Sequence, residues 1–443
     1  MTSPLVPLLL LLATLALQAA LPARRLLVVL VGAGLSLLVT VLSGRGASRE
    51  LLAEVPWDVL AILVALGLLT ELVAASRLFD VLAASAARRS AAEPRRLLAL
   101  FAVAMFGISG LANNVTALLL VLPVLLTLLR LLTVDQRTLT WTLGVLLVAC
   151  NLGGAATPIG DFPAVLLLGR GSMSFGGYLA AAFPATLLAL LLLLALVLLA
   201  VRPSRDLADD PLARRLGVAV LDELHRGVTV DRALLRPAAA ALAAMLVAWL
   251  VVPARSGVGP ELVAWLGVGA ALVAAPRLGE RLVRTRVDVE ATLFLLALFV
   301  LVGGVRRAGL LDAAARLLLE LPVPPTVQLV VFLLAAGVVT GVFSAGPAMA
   351  ALLDVAVALT AHLPGPAVYV GLALSVCAGS SLLLTAATSG PLALSLAVRA
   401  RMVEGAGAPL TFGFAGFLPV GLLAFAVIQT TAIGWALLLV ALG

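Results

Sequence analysis

The sequence predicts an all-α polytopic membrane protein built as two inverted repeats, with about ten transmembrane helices, two re-entrant hairpins and two broken helices. Three observations predict it. First, 63% of the 443 residues are hydrophobic and only 12% are charged, so lipid must be the main solvent. Apolar runs of roughly 17 to 25 residues recur along the chain, each long enough to cross a hydrocarbon core of about 30 Å, and no strand-like alternation accompanies them. Second, the 29 basic residues are all arginine, and they sit in short loops between the apolar runs. Third, the second half repeats polar positions of the first at an offset of about 228 to 232 residues.

The run 5–20 has no basic residue before it, while Arg24 and Arg25 follow directly. That order is the reverse of a cleavable signal peptide, so the run reads as a retained first helix with its N-terminus outside. Further crossings are expected at 26–43, 55–75, 138–170 and 178–201, then at 237–253, 261–275, 288–305, 366–398 and 410–441. Two apolar stretches, 97–130 and 327–362, are too long for one helix and are interrupted near the middle by Gly110-Leu111-Ala112-Asn113-Asn114 and by Ser344-Ala345-Gly346-Pro347. Turn formers at mid-run indicate hairpins that enter and leave on one side. On this topology 22 of the 29 arginines are cytoplasmic, the bias that the positive-inside rule requires. Full crossing by either hairpin would switch every later loop and degrade it.

Asp58 and Asp80 align with Glu290 and Asp312, Gly110 with Gly341, and Thr157 and Pro163 with Thr385 and Pro391. Each half holds five crossings and one hairpin, and an odd number of crossings turns the second copy upside down. The domains are therefore a first inverted repeat over 1–201, a linker over 202–236 and a second inverted repeat over 237–443. The charged, Pro203- and Pro211-containing linker is expected in the cytoplasm, with both termini outside.

Chemistry is expected where helices cannot continue. Asn151-Leu152-Gly153-Gly154-Ala155-Ala156-Thr157-Pro158-Ile159-Gly160-Asp161-Phe162-Pro163 packs three glycines and two prolines into mid-membrane sequence, which predicts an opened helix there. Freed N–H and C=O groups are tolerated at that depth only in protein or in a wet cavity, and an ion or ligand can partner them. Half-helix N-termini favour anions and half-helix C-termini favour cations. Asp161 lies in this break, where a carboxylate costs about 2.5–3.5 kcal/mol near the bilayer centre. It reads either as a cation or proton site or as a helix cap for the N–H groups of 162–164. Asn113, Asn114 and Thr116 put two amides and a hydroxyl at the first hairpin tip, either as ligands or as an ordinary polar turn. The second half offers Ser344 at its tip and Ser380, Ser381, Thr385, Thr388 and Ser389 around its break. The candidate binding set is thus Asn113, Asn114, Thr116, Asn151, Gly153, Gly154, Thr157, Asp161, Ser344, Ser380, Ser381, Thr385, Thr388 and Ser389, with Na+ placed near Asn113, Asn114 and Asp161. Asp354 reads equally as a relay carboxylate or as the partner of an arginine. Arg306 and Arg307 read either as attracting anions on the outer side or as interfacial arginines that snorkel, and Glu71 reads as interfacial. Cys150 and Cys377 read as small packing residues.

The composition also excludes. No aromatic-rich basic face supports nucleic acid. Two cysteines in apolar segments and two separated histidines give neither a disulfide framework nor a zinc site. Without lysine there is no phosphate-binding Gly-x-x-x-x-Gly-Lys loop. An enzyme and an organic cofactor are not expected; the coupling ion is H+ or Na+.

At GLANNVTALLLVLP (110–123) and NLGGAATPIGDFP (151–163) the sequence resembles the ion transporter superfamily, which contains arsenite permeases, citrate-type and other carboxylate carriers and one class of sodium/proton antiporters. In architecture the resemblance covers 56–441. It implies a homodimer with a scaffold and a moving transport domain, the substrate lying between hairpin tips and broken helices. Carboxylate carriers of this group typically show Ser-Asn-Thr at both sites, matched partly by Asn113-Asn114-Val115-Thr116 and not by Ser344-Ala345-Gly346. Thr157 to Asp161 is closer to the antiporter branch, which usually carries an acidic residue where Asn113 stands. The leading expectation is an ion-coupled secondary transporter of a small inorganic or organic anion in the inner membrane. The alternatives are a sodium/proton antiporter that uses the same Asp161, and a passive channel or structural membrane protein.

Overall fold

The computed structural model describes residues 5–21, 24–90, 93–132, 134–169, 172–201, 219, 223, 229–251, 257–343, 345–387, 389–400, 402 and 409–442. The described part is built of α-helices joined by short turns and loops, and eight of its helices are long and apolar enough to cross a membrane. The helices of the first half are α1 (Leu5–Ala20), α2 (Arg25–Leu42), α3 (Ser48–Ala53), α4 (Trp57–Ala75), α5 (Leu78–Arg89), α6 (Pro94–Ser109), α7 (Asn114–Leu131), α8 (Gln136–Ala156), α9 (Phe162–Gly169) and α10 (Phe175–Leu196), the last running into a π-helical turn at Val197–Val201. The second half contributes α11 (Arg232–Val251), α12 (Pro260–Ala274), α13 (Pro276–Thr285), α14 (Val289–Arg307), α15 (Leu310–Leu319), α16 (Pro325–Phe343), α17 (Ala345–Leu359), α18 (Gly365–Ser380), α19 (Gly390–Ala400) and α20 (Phe414–Leu442).

The helix order of the first half recurs in the second, down to backbone detail. Both α4 and α14 open with a carboxylate in the first turn, Asp58 and Glu290, and both α5 and α15 do so with Asp80 and Asp312. Acidic groups there offset the positive helix end. The residue before α5, Arg77, and the one before α15, Gly309, are both left-handed, with φ of 63° and 73°. A non-glycine residue in that region is uncommon, so Arg77 marks a bend that the fold requires of both copies.

Four short helices, α3, α5, α13 and α15, were not foreseen as separate elements, because their mixed charge hides them between apolar runs. Most of the linker 202–236 lies outside the described residues. Its last part, from Arg232, already belongs to α11, where Pro237 is tolerated within the first two turns.

Burial separates centre from periphery. Every residue of α8 from Thr138 to Ala156 except Trp141 is buried, and so is every residue of α18 from Ala367 to Ser380. A helix apolar on all sides belongs inside, so the leading arms of both broken helices form the axis of the molecule. By contrast α2, α11 and α12 present exposed leucines, valines and tryptophan outward, as a lipid-facing rim must. Two apolar clusters meet along this axis. One gathers α4, α9, α14 and α16–α18; the other gathers α5–α8 with α18–α20.

Candidate substrate site between the breaks and the first hairpin tip

The first helix break is placed by a proline. α8 runs through Gly153 and Gly154 to Ala156, and the chain leaves it at Thr157, whose φ of −133° and ψ of 153° are extended. Thr157 precedes Pro158, and a residue before proline is pushed out of the α region. The glycines that suggested the break serve another purpose. A Cβ on Gly153 would fall on the carbonyl of Phe106, and one on Gly154 would meet Asn114 and Asp161. Gly153 and Gly154 therefore let the incoming arm of the first hairpin and its tip press against α8. The second break repeats the contact, because a Cβ on Gly379 would fall on the carbonyl of Gly337 in α16.

Around this contact the polar groups converge. Asn114, 3% exposed, opens α7; its Nδ2 donates to Asp161 Oδ2 at 3.0 Å, while its Oδ1 accepts from Ser109 Oγ at 2.5 Å. The same Ser109 hydroxyl lies 2.8 Å from the Cys150 carbonyl, the α8 segment next to the break. Asp161 Oδ1 accepts from the N–H of Phe162 at 2.9 Å. Among the described residues no basic side chain pairs with Asp161. Its partners are one amide and one backbone N–H, so the cap expected over 162–164 is made only to 162, and the second carboxylate oxygen is turned to the hairpin tip. Thr157 Oγ1 donates to the carbonyl of Gly110 and accepts from Ile159 N. This ties the extended residue of the break to the tip.

The two halves meet at Asn151. Its Nδ2 donates to Ser381 Oγ at 3.1 Å and lies 3.4 Å from the Ser380 carbonyl, where α18 ends and the segment 381–389 leads to α19. Ser380 Oγ turns back to the Cys377 carbonyl. Ser389 is fully buried beside the Cys150 thiol, its hydroxyl without an oxygen or nitrogen partner among the described residues. Thr385 is exposed and joins none of these contacts. Ser344 and Thr388 fall outside the described residues, although Gly346 at the start of α17 faces Phe162 and so brings the second hairpin towards the first break. Asn113 caps α7, its Oδ1 accepting from Thr116 N at 2.8 Å. Cys150 and Cys377 are buried free thiols. Among the described residues no three His, Cys, Asp or Glu side chains gather as a metal cluster.

Two groups escaped the sequence reading. Ser109 is one hydroxyl at the end of an apolar arm, and only its adjacency to Gly110 hinted at a role. Glu71 lies near the end of α4 and reads as interfacial, yet Thr116 Oγ1 approaches Glu71 Oε1 at 3.5 Å and Arg286 sits 3.8 Å from its other oxygen. The reading of Arg306 and Arg307 as snorkelling arginines is corrected. Arg306 makes a bidentate pair with Asp354 at 2.7 and 2.9 Å, which gives Asp354 its arginine partner. Arg307 binds Glu54, Glu50 and the Arg45 carbonyl.

The chain is similar to known membrane proteins. A family model described as citrate transporter matches residues 9–379. The chain belongs to the citrate transporter family. Among relatives, magnetosome protein MamN of Paramagnetospirillum magneticum is 28% identical over 384 residues, 83% of each chain. An uncharacterized transporter of Mycobacterium tuberculosis is 27% identical over 369 residues, 81% of each chain. Inner membrane protein YbiR of Escherichia coli is 36% identical over 170 residues, covering 38% of this chain and 43% of that one. The crystal structure of the Alcanivorax borkumensis YdaH transporter, described as having an unusual topology, superposes with a TM-score of 0.50 at 18% identity, covering 92% of this chain and 88% of that one. This citrate transporter family member is thus a multi-pass membrane transporter, with a small solute as its cargo and the bilayer as its surroundings.

Proposed function

We propose that the protein is an ion-coupled secondary transporter that moves a small inorganic or organic anion across the inner membrane by alternating access. One observation carries the reading. The first broken helix and the first hairpin tip, each with backbone groups that lipid could not satisfy, converge inside an apolar bundle on Asp161 and Asn114, and the second broken helix joins them through Asn151. The N-termini of α7 and α9 lend partial positive charge for an anion, while Asp161, the Asn114 amide and nearby carbonyls suit H+ or Na+. Ser380, Ser381 and Ser389 extend this surface to the second half, with no fixed charge of their own. The family description supports a small carboxylate as the first anion to try. The orientation carries over from the arginine distribution, with both termini outside and 202–236 cytoplasmic; the repeats divide there, and the chain works as a homodimer.

The test is uptake into proteoliposomes of citrate and of inorganic anions under imposed Na+ or H+ gradients, with Asp161→Asn alongside. Gradient-driven accumulation should be abolished by the substitution. Undiminished coupled uptake would remove Asp161 from the mechanism. Glu71, a second carboxylate beside the first tip, favours cation exchange as the other reading. Sodium-driven proton flux with no anion present would establish that instead.

A further inference from the structure

Helix α13 lies at the foot of α12 and is built for a surface. Arg277, Arg281 and Arg284 fall at i, i+4 and i+7, on one face, and all three are exposed. Leu282 and Gly279 are buried on the other side, where a Cβ on Gly279 would come within 2.7 Å of the Leu272 carbonyl. No carboxylate among the described residues pairs with these three arginines, whereas Arg286, just beyond the helix, reaches Glu71. Immediately before α13, the outer face of α12 carries Leu262, Trp265, Leu266 and Val273, all exposed, with Gly269 opening onto empty space between them. An apolar stripe therefore runs straight into the three arginines, with the exposed Glu280 on their flank.

The inverted repeat supplies a comparison within the molecule. The counterpart of α13 is α3, which holds one arginine and one glutamate, Arg49 and Glu50, and is followed by Glu54. Both acids are engaged with Arg307. The same fold position is thus filled without a basic face, so packing does not require the arginines of α13.

We propose that α13 and the outer face of α12 form a binding site for an anionic phospholipid, its phosphate on Arg277, Arg281 and Arg284 and its acyl chains along Leu262, Leu266 and Val273. Each arginine near a membrane surface is worth about fivefold in affinity for anionic lipid, so the three together supply on the order of 100-fold. The site rests on the exposed face itself and is indifferent to which leaflet it meets, so its failure is separable from failure of the proposed orientation.

The experiment titrates the full chain in neutral detergent with short-chain phosphatidylglycerol and, separately, phosphatidylcholine, and counts bound lipid by native mass spectrometry. The native chain should prefer phosphatidylglycerol. The triple variant Arg277→Gln, Arg281→Gln, Arg284→Gln should lose that preference by tenfold or more. Arg277→Lys, Arg281→Lys, Arg284→Lys should keep most of it, which also shows that the surface still folds. A control triple, Arg232→Gln, Arg236→Gln, Arg399→Gln, removes equal charge elsewhere and should bind as the native chain does. Equal losses in both glutamine triples would overturn the site in favour of diffuse attraction. So would inorganic phosphate alone binding as tightly as the lipid, because the acyl stripe would then contribute nothing.

Discussion

Replacing Asn114 by alanine tests the centre of the site without knowledge of the cargo. The substitution removes the Nδ2 donor 3.0 Å from Asp161 Oδ2 and the acceptor of the Ser109 hydroxyl. Asp161 is left with the single N–H of Phe162. Interhelical hydrogen bonds within membranes average about 0.6 kcal/mol in double-mutant cycles and reach about 1.7, while hydrogen bonds to charged groups run to about 1.5–3 kcal/mol. An amide on a carboxylate, with Asn114 almost fully buried, belongs at the upper end, so a cycle of Asn114→Ala with Asp161→Ala should give a coupling energy of about 1–2 kcal/mol. Unfolding in mixed detergent micelles measures it, since both single variants and the double variant are read against the native chain and losses unrelated to the pair cancel. A coupling below about 0.5 kcal/mol would mean that tip and break are neighbours without being partners, and the proposed site would lose its centre.

Other perturbations have equally defined outcomes. Gly153→Ala and Gly379→Ala each drive a methyl into a facing carbonyl and should destabilise by about 1–3 kcal/mol, whereas Gly67→Ala and Gly107→Ala, with open space at the Cβ, should be neutral or stabilise by up to about 1 kcal/mol; thermal unfolding separates the two classes. Arg306→Ala strands Asp354 at a site where each side chain is 27% exposed, which places the loss between that of surface and buried pairs, about 1–3 kcal/mol; the reversed pair Arg306→Asp with Asp354→Arg should recover part of it, and no recovery would deny the pairing. The Arg307 guanidinium holds the Glu50 carboxyl below its usual range. Its contribution is therefore complete above the ordinary glutamate value and is lost as pH falls through the lowered one. Melting temperatures followed from pH 6 to pH 3 should fall less steeply in Glu50→Gln than in the native chain.

Long apolar runs made the crossings legible, since nothing else buries so many leucines, and clusters of Gly, Pro and Asn marked both hairpins and both breaks to within a few residues. What the sequence could not show was which of those residues breaks the helix and which permits close approach. Pro158 does the first, through the backbone of Thr157. Gly153 and Gly154 do the second, and that role exists only once Phe106 and Asn114 have arrived from another helix. Distance in sequence hid the rest. Arg306 and Asp354 are 48 residues apart and Glu71 and Thr116 are 45 apart, and hydropathy says nothing about which arginine a carboxylate will meet. The short helices α5 and α15 are hidden in the sequence because ten to twelve residues with mixed charge are too short and too polar to read as crossings, although the matching left-handed residues Arg77 and Gly309 show that they are as much a part of the repeat as the spans.

One side chain ties the two inverted halves together at their helix breaks. The amide of Asn151 stands in the first and donates both its protons to the second, so rearrangement of one break costs the hydrogen bonds it makes with the other. By linkage, a guest that is paid for in one half by loosening that amide changes the welcome offered to a guest in the other by the same factor. Two unlike cargoes, one on each side of a single asparagine, would then be bound to travel on each other's terms.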